Sequence, residues 1–127
     1  MSSYQLSAKD AFVAIASENI DILVDFYRQF FDQQPSKFIP KIYAEFHLQG
    51  LKIGIFKPSS AHLSEFQSSS KSKMSLCLEV DNLENAIAHV MDLGYPPSGE
   101  IITASHGREV YAFDPEGNRI ILHQSHK

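Results

Sequence analysis

The sequence predicts an α+β domain built from two tandem modules of the order βαβββ. Three observations support this prediction. Each half of the chain opens with a short apolar run followed by apolar residues at helical spacing. Strand-like segments separated by turn residues follow each helical pattern. A polar segment at residues 57–73, with seven serines and no apolar periodicity, lies between the halves and is predicted to be a linker.

The first module is predicted to span residues 8–57. Its opening run, AFVAIAS at residues 11–17, has the length of a strand. A helix is predicted over IDILVDFYRQFF, residues 20–31, because its apolar residues recur every three to four positions. Two strands, residues 42–48 and 51–57, then flank the turn pair Gln49-Gly50, which is typical of a β-hairpin.

The second module is predicted to span residues 74–125 and repeats this order. SLCLEV at residues 75–80 has the character of a strand, and a helix over residues 83–93 is predicted to end at Gly94. Three further strands are predicted at residues 101–104, 110–113 and 119–123.

The two halves also align with each other directly. VAIASENIDILVDFY matches LCLEVDNLENAIAHV, and IYAEFHLQGLKIGIF matches EVYAFDPEGNRIILH when Gly50 is placed on Gly117. Internal similarity of this kind indicates that the two modules share one architecture.

Composition narrows the class of protein. A chain of 127 residues is long enough for one domain with a real core, and one cysteine excludes an internal disulfide. The net charge of −4 and scattered basic residues do not favour nucleic-acid binding. The segment MSSYQLSAKD lacks an apolar signal core and no run reaches membrane-spanning length, so a cytoplasmic protein without a membrane partner is expected.

The ordered motifs resemble the vicinal oxygen chelate superfamily, which includes glyoxalase I, extradiol dioxygenases and bleomycin-resistance proteins. The resemblance rests on FVAIASENIDILVDFYRQFF, LCLEVDNLENAIAHVMDLGY and above all YAFDPEGNRIIL, and it covers the chain except the linker. It implies that the modules form a cupped, mostly antiparallel sheet around a ligand. It also implies a homodimer, because many short members cover the cup with a partner subunit.

The resemblance further allows the family's four metal-ligand positions to be checked. These positions hold Phe12, Gly54, Ser75 and Ile121 here. None offers the imidazole or carboxylate that a divalent ion prefers. The sequence therefore predicts no metal, no other cofactor and no catalytic residue at these positions.

Strand alternation then predicts which side chains line the cup, because residues two apart share a face. The predicted lining is Phe12, Ala14, Ala44, Phe46, Gly54, Phe56, Ser75, Cys77, Tyr111, Phe113, Ile121 and His123. The intervening residues are expected to pack under the helices: Val13, Ile15, Ile53, Ile55, Leu76, Leu78, Ile120 and Leu122. A lining of aromatic and small residues favours an apolar or planar ligand.

Few polar side chains are candidates for specific roles. Arg108 and Arg119 are placed at the rim of the cup, where they would meet an anionic group. The hydroxyl of Tyr111 would orient a ligand or make a structural hydrogen bond. Cys77 is expected to be inert unless His123 lies near enough to act as a base.

Three hypotheses about function follow. The first is a metal-independent small-molecule binding protein that sequesters its ligand, as bleomycin-resistance members do. The second is a lyase or dioxygenase whose metal ligands have moved to His47, His106, His123 or Glu45. The third is a non-catalytic interaction module whose cup is filled by its own side chains.

Overall fold

The fold is described from a computed structural model that covers residue 6, residues 9–67 and residues 73–126. It contains two α-helices, eight strands and one short 3₁₀ helix in this range. The strands are β1 Val13–Ala16, β2 Lys37–Ile39, β3 Tyr43–Leu48, β4 Leu51–Phe56, β5 Leu76–Glu79, β6 Ile102–Ala104, β7 Gly107–Phe113 and β8 Arg119–Ser125. The helices are α1 Ile20–Phe30 and α2 Leu83–Asp92, with the 3₁₀ helix at Leu63–Phe66.

The strands form two four-stranded sheets of matching topology. The order is β1-β4-β3-β2 in the first sheet and β5-β8-β7-β6 in the second. Strand β1 is parallel to its neighbour β4, and β5 is parallel to its neighbour β8. The remaining neighbouring pairs are antiparallel. The predicted α+β fold of two tandem βαβββ modules is therefore confirmed.

One core joins the two modules. One face of each sheet packs on the helices. Alternate residues of the strands are buried on this face, such as Ile53 and Ile55 in β4 and Ile120 and Leu122 in β8. The helices also contact each other, since the ring of Phe30 stacks on that of His89 with centroids 6.2 Å apart. Residues Ile53, Ile55, Ile120 and Leu122 thus lie under the helices as predicted.

A buried carboxylate fastens α1 to the turn between β7 and β8. Asp114 is 3% exposed and accepts a hydrogen bond of 2.7 Å from the hydroxyl of Tyr27. Burial, reinforced by the charge of Asp114, raises the pKa of the Tyr27 phenol well above its ordinary value, so it remains a donor. Beside this bond, the hydroxyl of Ser17 donates to Glu116 and so links the end of β1 to the same turn.

Two local predictions need correction. The short strand β2, Lys37–Ile39, lies between Pro35 and Pro40, a stretch whose residues show no strand pattern. The linker was expected to lack regular structure, yet Leu63–Phe66 forms a 3₁₀ helix and Phe66 packs edge-to-face on Phe56 at 5.6 Å. The serine-rich residues 68–72 lie outside the described part of the chain.

A larger correction concerns β3. Ala44 and Phe46 pair with Ile55 and Ile53, and all four are completely buried under the helices. The prediction that Ala44 and Phe46 line the cup is therefore wrong. The alignment of the halves on their turn glycines caused the error. The β3–β4 turn has two residues, 49 and 50, whereas five residues, 114–118, separate β7 from β8. This odd difference inverts the face of every residue before the turn.

Within the described residues, neither helix is long and apolar enough to span a bilayer.

The bond between Tyr27 and Asp114 should contribute measurably to folding. Tyr27→Phe removes one of the two donors to Asp114 Oδ2 and leaves the Asn118 amide as the other. We expect the free energy of unfolding to fall by about 1–3 kcal/mol in urea denaturation. The matched control is Tyr111→Phe on an exposed face, for which a change within about 0.5 kcal/mol is expected. Equal effects of the two changes would contradict this role of Tyr27.

Candidate functional site

Each sheet has an open face that is turned away from the shared core. The first open face belongs to β1–β4 and includes Phe12, Ala14, Tyr43, Glu45, His47, Gly54 and Phe56. The second open face belongs to β5–β8 and includes Ser75, Cys77, Glu79, Glu109, Tyr111, Phe113, Arg119, Ile121 and His123. The aromatic side chains of Phe12 and Tyr111 are 53% and 37% exposed. The two faces thus do not close into a filled cup within one chain.

The centre of the first open face is occupied by a phenol. Tyr43 lies over Gly54, where an added Cβ would come within 2.8 Å of the Tyr43 hydroxyl and 3.4 Å of the Phe12 ring. The Tyr43 hydroxyl donates to Glu45 at 2.7 Å. Partial burial and this hydrogen bond raise the pKa of Tyr43 to about 12. The missing side chain at Gly54 therefore leaves space for the Tyr43 ring. The raised pKa keeps the Tyr43 hydroxyl protonated at neutral pH.

Glu45 is shared between Tyr43 and His47. Its second oxygen lies 2.5 Å from Nε2 of His47. Hydrogen bonds from His47 and Tyr43 lower the pKa of Glu45 below its ordinary value. The structure thus brings together two of the relocated-ligand candidates, Glu45 and His47, and commits both to a local hydrogen-bond network.

An apolar depression borders the first open face. Phe56 at the end of β4 and Phe66 of the 3₁₀ helix form its walls, together with Pro58 and His62. Its volume is about 310 Å³. The start of the linker therefore packs beside the first open face and adds the Phe66 ring to its aromatic surface.

The second open face combines apolar and charged groups. Tyr111 lies beside Ile121, and Phe113 lies beside Arg119 in the register of β7 and β8. The Arg119 guanidinium donates to the hydroxyl of Ser75 at 3.1 Å. The predicted placement of Ser75, Tyr111, Phe113, Ile121 and His123 on one face agrees with this register.

Cys77 is not an activated thiol. Burial is the main cause that raises its pKa, and the carboxylates of Glu109 and Glu79 add to the effect. A raised pKa lowers the thiolate fraction at neutral pH, and the thiolate is the nucleophile. Cys77 on the second open face is therefore suited to contact a ligand and not to attack it.

A polar cluster occupies one end of the second open face. Nδ1 of His123 lies 2.7 Å from Glu79 Oε1, and Nε2 of His123 lies 2.9 Å from Nδ1 of His106. The Ser125 backbone N–H donates to the other oxygen of Glu79 at 2.7 Å. The bond from His123, aided by Ser125, lowers the pKa of Glu79 to about 2. Glu109 lies across β8 from Glu79, beside His123.

Arg108 is not on this face. It alternates with Glu109 and points to the helix side, where its guanidinium bonds both oxygens of Glu84 on α2 at 2.5 and 2.9 Å. It also donates to Gln124 at 3.2 Å. The prediction that Arg108 contacts a ligand at the cup rim is therefore wrong, because the neighbouring helix supplies its anion.

With this geometry in place, the chain can be compared with known proteins. Residues 11–122 match the family model of the Glyoxalase/Bleomycin resistance protein/Dioxygenase superfamily. The chain belongs to this superfamily.

Several solved structures share the fold. The genomically encoded fosfomycin resistance protein FosX from Listeria monocytogenes is 13% identical over 95% of this chain and 96% of its own, with a TM-score of 0.73. The bleomycin resistance determinant encoded on transposon Tn5 is 16% identical over 94% and 100%, with a TM-score of 0.68. Lactoylglutathione lyase from Agrobacterium tumefaciens is 17% identical over 92% and 94%, also at 0.68. A search of curated protein sequences gives no significant match.

A metal at the superfamily's four positions does not fit this chain. Phe12 and Ile121 offer only hydrocarbon, and Gly54 lies beneath the Tyr43 ring. The hydroxyl of Ser75 is engaged by Arg119. A divalent ion needs imidazole, thiolate or carboxylate ligands, so these residues form no metal centre.

The sequence did not identify three residues that shape the open faces. Tyr43 covers Gly54, and Glu79 and Glu109 flank His123. The signal that could have found Glu109 was present, because it alternates with Tyr111 along β7 and shares its face. Glu79 carried the same signal, because it alternates with Ser75 and Cys77 along β5, but its place beside His123 depends on the parallel pairing of β5 with β8.

The ion pair between Arg108 and Glu84 has a measurable pH signature. The hydrogen bond from Arg108 lowers the pKa of Glu84 from 4.5 to about 2. Its stabilising contribution is therefore fully present above pH 4.5 and is lost as the pH falls through about 2. In Arg108→Gln, carboxyl NMR should show the pKa of Glu84 raised toward its ordinary value but still below it, because the backbone hydrogen bond at Glu84 remains. The control Arg28→Gln, which breaks a separate helix ion pair, should leave Glu84 unchanged. An unshifted Glu84 in Arg108→Gln would contradict this account.

Proposed function

We propose that this chain is a small-molecule binding protein that sequesters an apolar or planar ligand on its open sheet faces without a metal at the superfamily's positions. The observation that supports it most is the pair of exposed aromatic faces, with Phe12 exposed on the first and Tyr111 on the second. Exposed apolar surface of this kind marks binding surfaces. We further propose that it acts in the cytoplasm.

The ligand chemistry follows from the side chains present. Phe12, Phe56, Tyr111, Phe113 and Ile121 would bind the apolar body of a ligand. The polar groups lie at their borders: Ser75 with Arg119 at one end of the second face and His123 at the other. Many apolar contacts with a few polar groups are typical of small-molecule sites.

A second copy of this chain would complete the site. Both sheets direct their helix faces into one core, so neither open face is covered by the other sheet of the same chain. An apolar sheet face exposed to water is unfavourable by roughly 25 cal/mol per Å² relative to a covered one. In the proposed homodimer, the first open face of one chain lies opposite the second open face of its partner, with the ligand between them.

One observation favours a second candidate function. His106 and His123, two of the relocated-ligand candidates, lie together and next to Glu109. A metal held there would support the lyase or dioxygenase hypothesis.

The proposed dimer interface can be tested with a matched pair of arginine variants. Ala14→Arg places a long cation in the first open face, and Ala88→Arg places one on the exposed side of α2. Both positions are exposed, so both variants should fold. Native mass spectrometry should show twice the chain mass of 14.3 kDa for the parent and for Ala88→Arg, and a monomer for Ala14→Arg. Dimers of equal strength in all three would exclude the open faces as the interface.

Ligand binding is tested with bleomycin and a set of planar aromatic compounds in a thermal-shift assay. A ligand at 100 times its Kd stabilises the folded state by about 2.7 kcal/mol. For a domain of this size that corresponds to a rise in Tm of roughly 5–15 °C. Fosfomycin, a small anion, serves as the contrasting probe. Binding that Ala14→Arg abolishes and Ala88→Arg retains would support the proposal. The absence of a shift with every compound would contradict the proposal.

A further inference from the structure

The strongest unassigned feature of the described residues is the polar cluster on the second open face. His106, Glu109 and His123 each offer a ligand atom, and these atoms lie within 4.8 Å of one another. Among the residues described, this is the one group of three such side chains close enough to share an ion. The Glu45–His47 pair differs, because the described residues place no third metal-ligating side chain close enough to it to share an ion.

The backbone brings these side chains together from three sources. His123 comes from β8 and Glu109 from β7, where the two residues are direct partners in the antiparallel register. His106 comes from the turn between β6 and β7 and is folded back over the sheet, so that its ring stacks on that of His123 at 5.0 Å. Strands place two of the three donors, which gives the cluster a rigid base.

Gly107 makes this fold-back possible. Its φ of +150° is rare for a residue with a side chain, and an added Cβ would lie 2.3 Å from the Gln124 carbonyl oxygen. The same Cβ would lie 3.0 Å from Nε2 of His123. A glycine at this position therefore allows His106 to approach His123.

Glu79 fixes the ring of His123 in the orientation that ligation requires. An ionised carboxylate only accepts hydrogen bonds, so Nδ1 of His123 is the donor in the 2.7 Å contact. The remaining nitrogen of the neutral ring, Nε2, then carries a lone pair directed at His106. A carboxylate bonded to the far nitrogen of a metal-binding histidine is the common supporting arrangement in metal sites.

The distances require only a small adjustment to admit an ion. Nε2 of His123 and Nδ1 of His106 are 2.9 Å apart. With the His123 proton on Nδ1, as argued above, His106 is the donor in this contact. Two nitrogens bound to zinc at about 2.0–2.1 Å are separated by ~3.3 Å in tetrahedral geometry. Neutral His106 can move its proton to Nε2, so Nδ1 becomes a ligand without loss of a proton from the ring.

We propose that His106, Glu109 and His123 form a binding site for a divalent transition-metal ion of the zinc type, with Glu79 as a positioning residue. Two imidazoles and one carboxylate suit Zn²⁺ and Co²⁺, whereas Mg²⁺ and Ca²⁺ prefer oxygen ligands. Three protein ligands leave at least one coordination position for water or for a donor atom of a bound molecule.

This site is distinct from the superfamily's metal positions. His123 lies two residues beyond Ile121 on the same face of β8, a displacement of about 6–7 Å along the strand. The other three superfamily positions, Phe12, Gly54 and Ser75, contribute nothing to it. The test of this site uses no organic ligand. Its outcome therefore does not depend on the small-molecule binding proposed above.

The test measures the binding of ZnCl₂ to the metal-stripped full chain by isothermal titration calorimetry, with MgCl₂ as the comparison ion. We expect about one Zn²⁺ per chain and at least 100-fold weaker binding of Mg²⁺. His106→Ala and His123→Ala should each weaken Zn²⁺ binding by at least 100-fold, and Glu109→Gln by at least 10-fold. Circular dichroism checks that each variant is folded.

The matched control is His62→Ala. His62 also pairs with a carboxylate, Glu65 at 2.5 Å, but lies immediately before the 3₁₀ helix and outside the cluster. Its removal should leave Zn²⁺ affinity unchanged. Wild-type binding weaker than about 1 mM, or equal loss in His62→Ala and His123→Ala, would overturn the proposal.

The role of Glu79 has its own measurement. Glu79→Gln should weaken Zn²⁺ binding by about 10–100-fold. In the wild type, ¹⁵N NMR should show the proton of His123 on Nδ1, and Glu79→Gln should shift it toward a mixture of tautomers. The visible spectrum of the Co²⁺-loaded chain should also change. A weakened affinity with the tautomer unaltered would show that Glu79 does not position His123.

Discussion

The structure depends on one buried acceptor, the carboxylate of Asp114. It receives four hydrogen bonds: from the Tyr27 hydroxyl, from the backbone N–H groups of Glu116 and Asn118, and from the Asn118 amide. Burying a charge without such donors would be very unfavourable, so the turn must adopt the one shape that supplies them. That shape fixes where β8 begins, and the Tyr27 bond holds α1 of the other module against it. The two modules are thereby joined through their helices.

This way of joining the modules determines which surfaces the proposed ligand can reach. With the helix faces of both sheets committed to one core, the open faces remain outside it, and their aromatic residues are left for other molecules to cover. A cup assembled within a single chain would need the opposite arrangement, with the helices on the outside. The same contacts that stabilise the monomer therefore favour a site completed between two copies.

The sequence predicted the architecture correctly. It predicted which face each strand residue occupies correctly after the turns and wrongly for Ala44 and Phe46 before one of them. Residues Ile53, Gly54, Ile120 and Ile121 were placed correctly, because Ile53 and Ile120 each stand three residues after their turn glycine and both face the helices. Residues before the turns depend on turn length, which differs between the halves by an odd number, so Ala44 and Phe46 were assigned to the wrong face. The partner of Arg108 was also beyond sequence reasoning, since only the packing of α2 on the second sheet brings Glu84 to it.

The two open faces show how similar backbones come to support different chemistry. Fold stability resides in the inner faces and in the Asp114 turn, so a substitution on an open face should cost little folding free energy. On the first face, the loss of a side chain at Gly54 allows Tyr43 to cover the place where the superfamily holds a metal ligand. On the second face, Ile121 is apolar while His123, two residues further along the same strand, faces Glu79 on one side and Glu109 on the other. The period of two in a β-strand makes this displacement possible, because a donor moved by two residues keeps its face and changes only its neighbours.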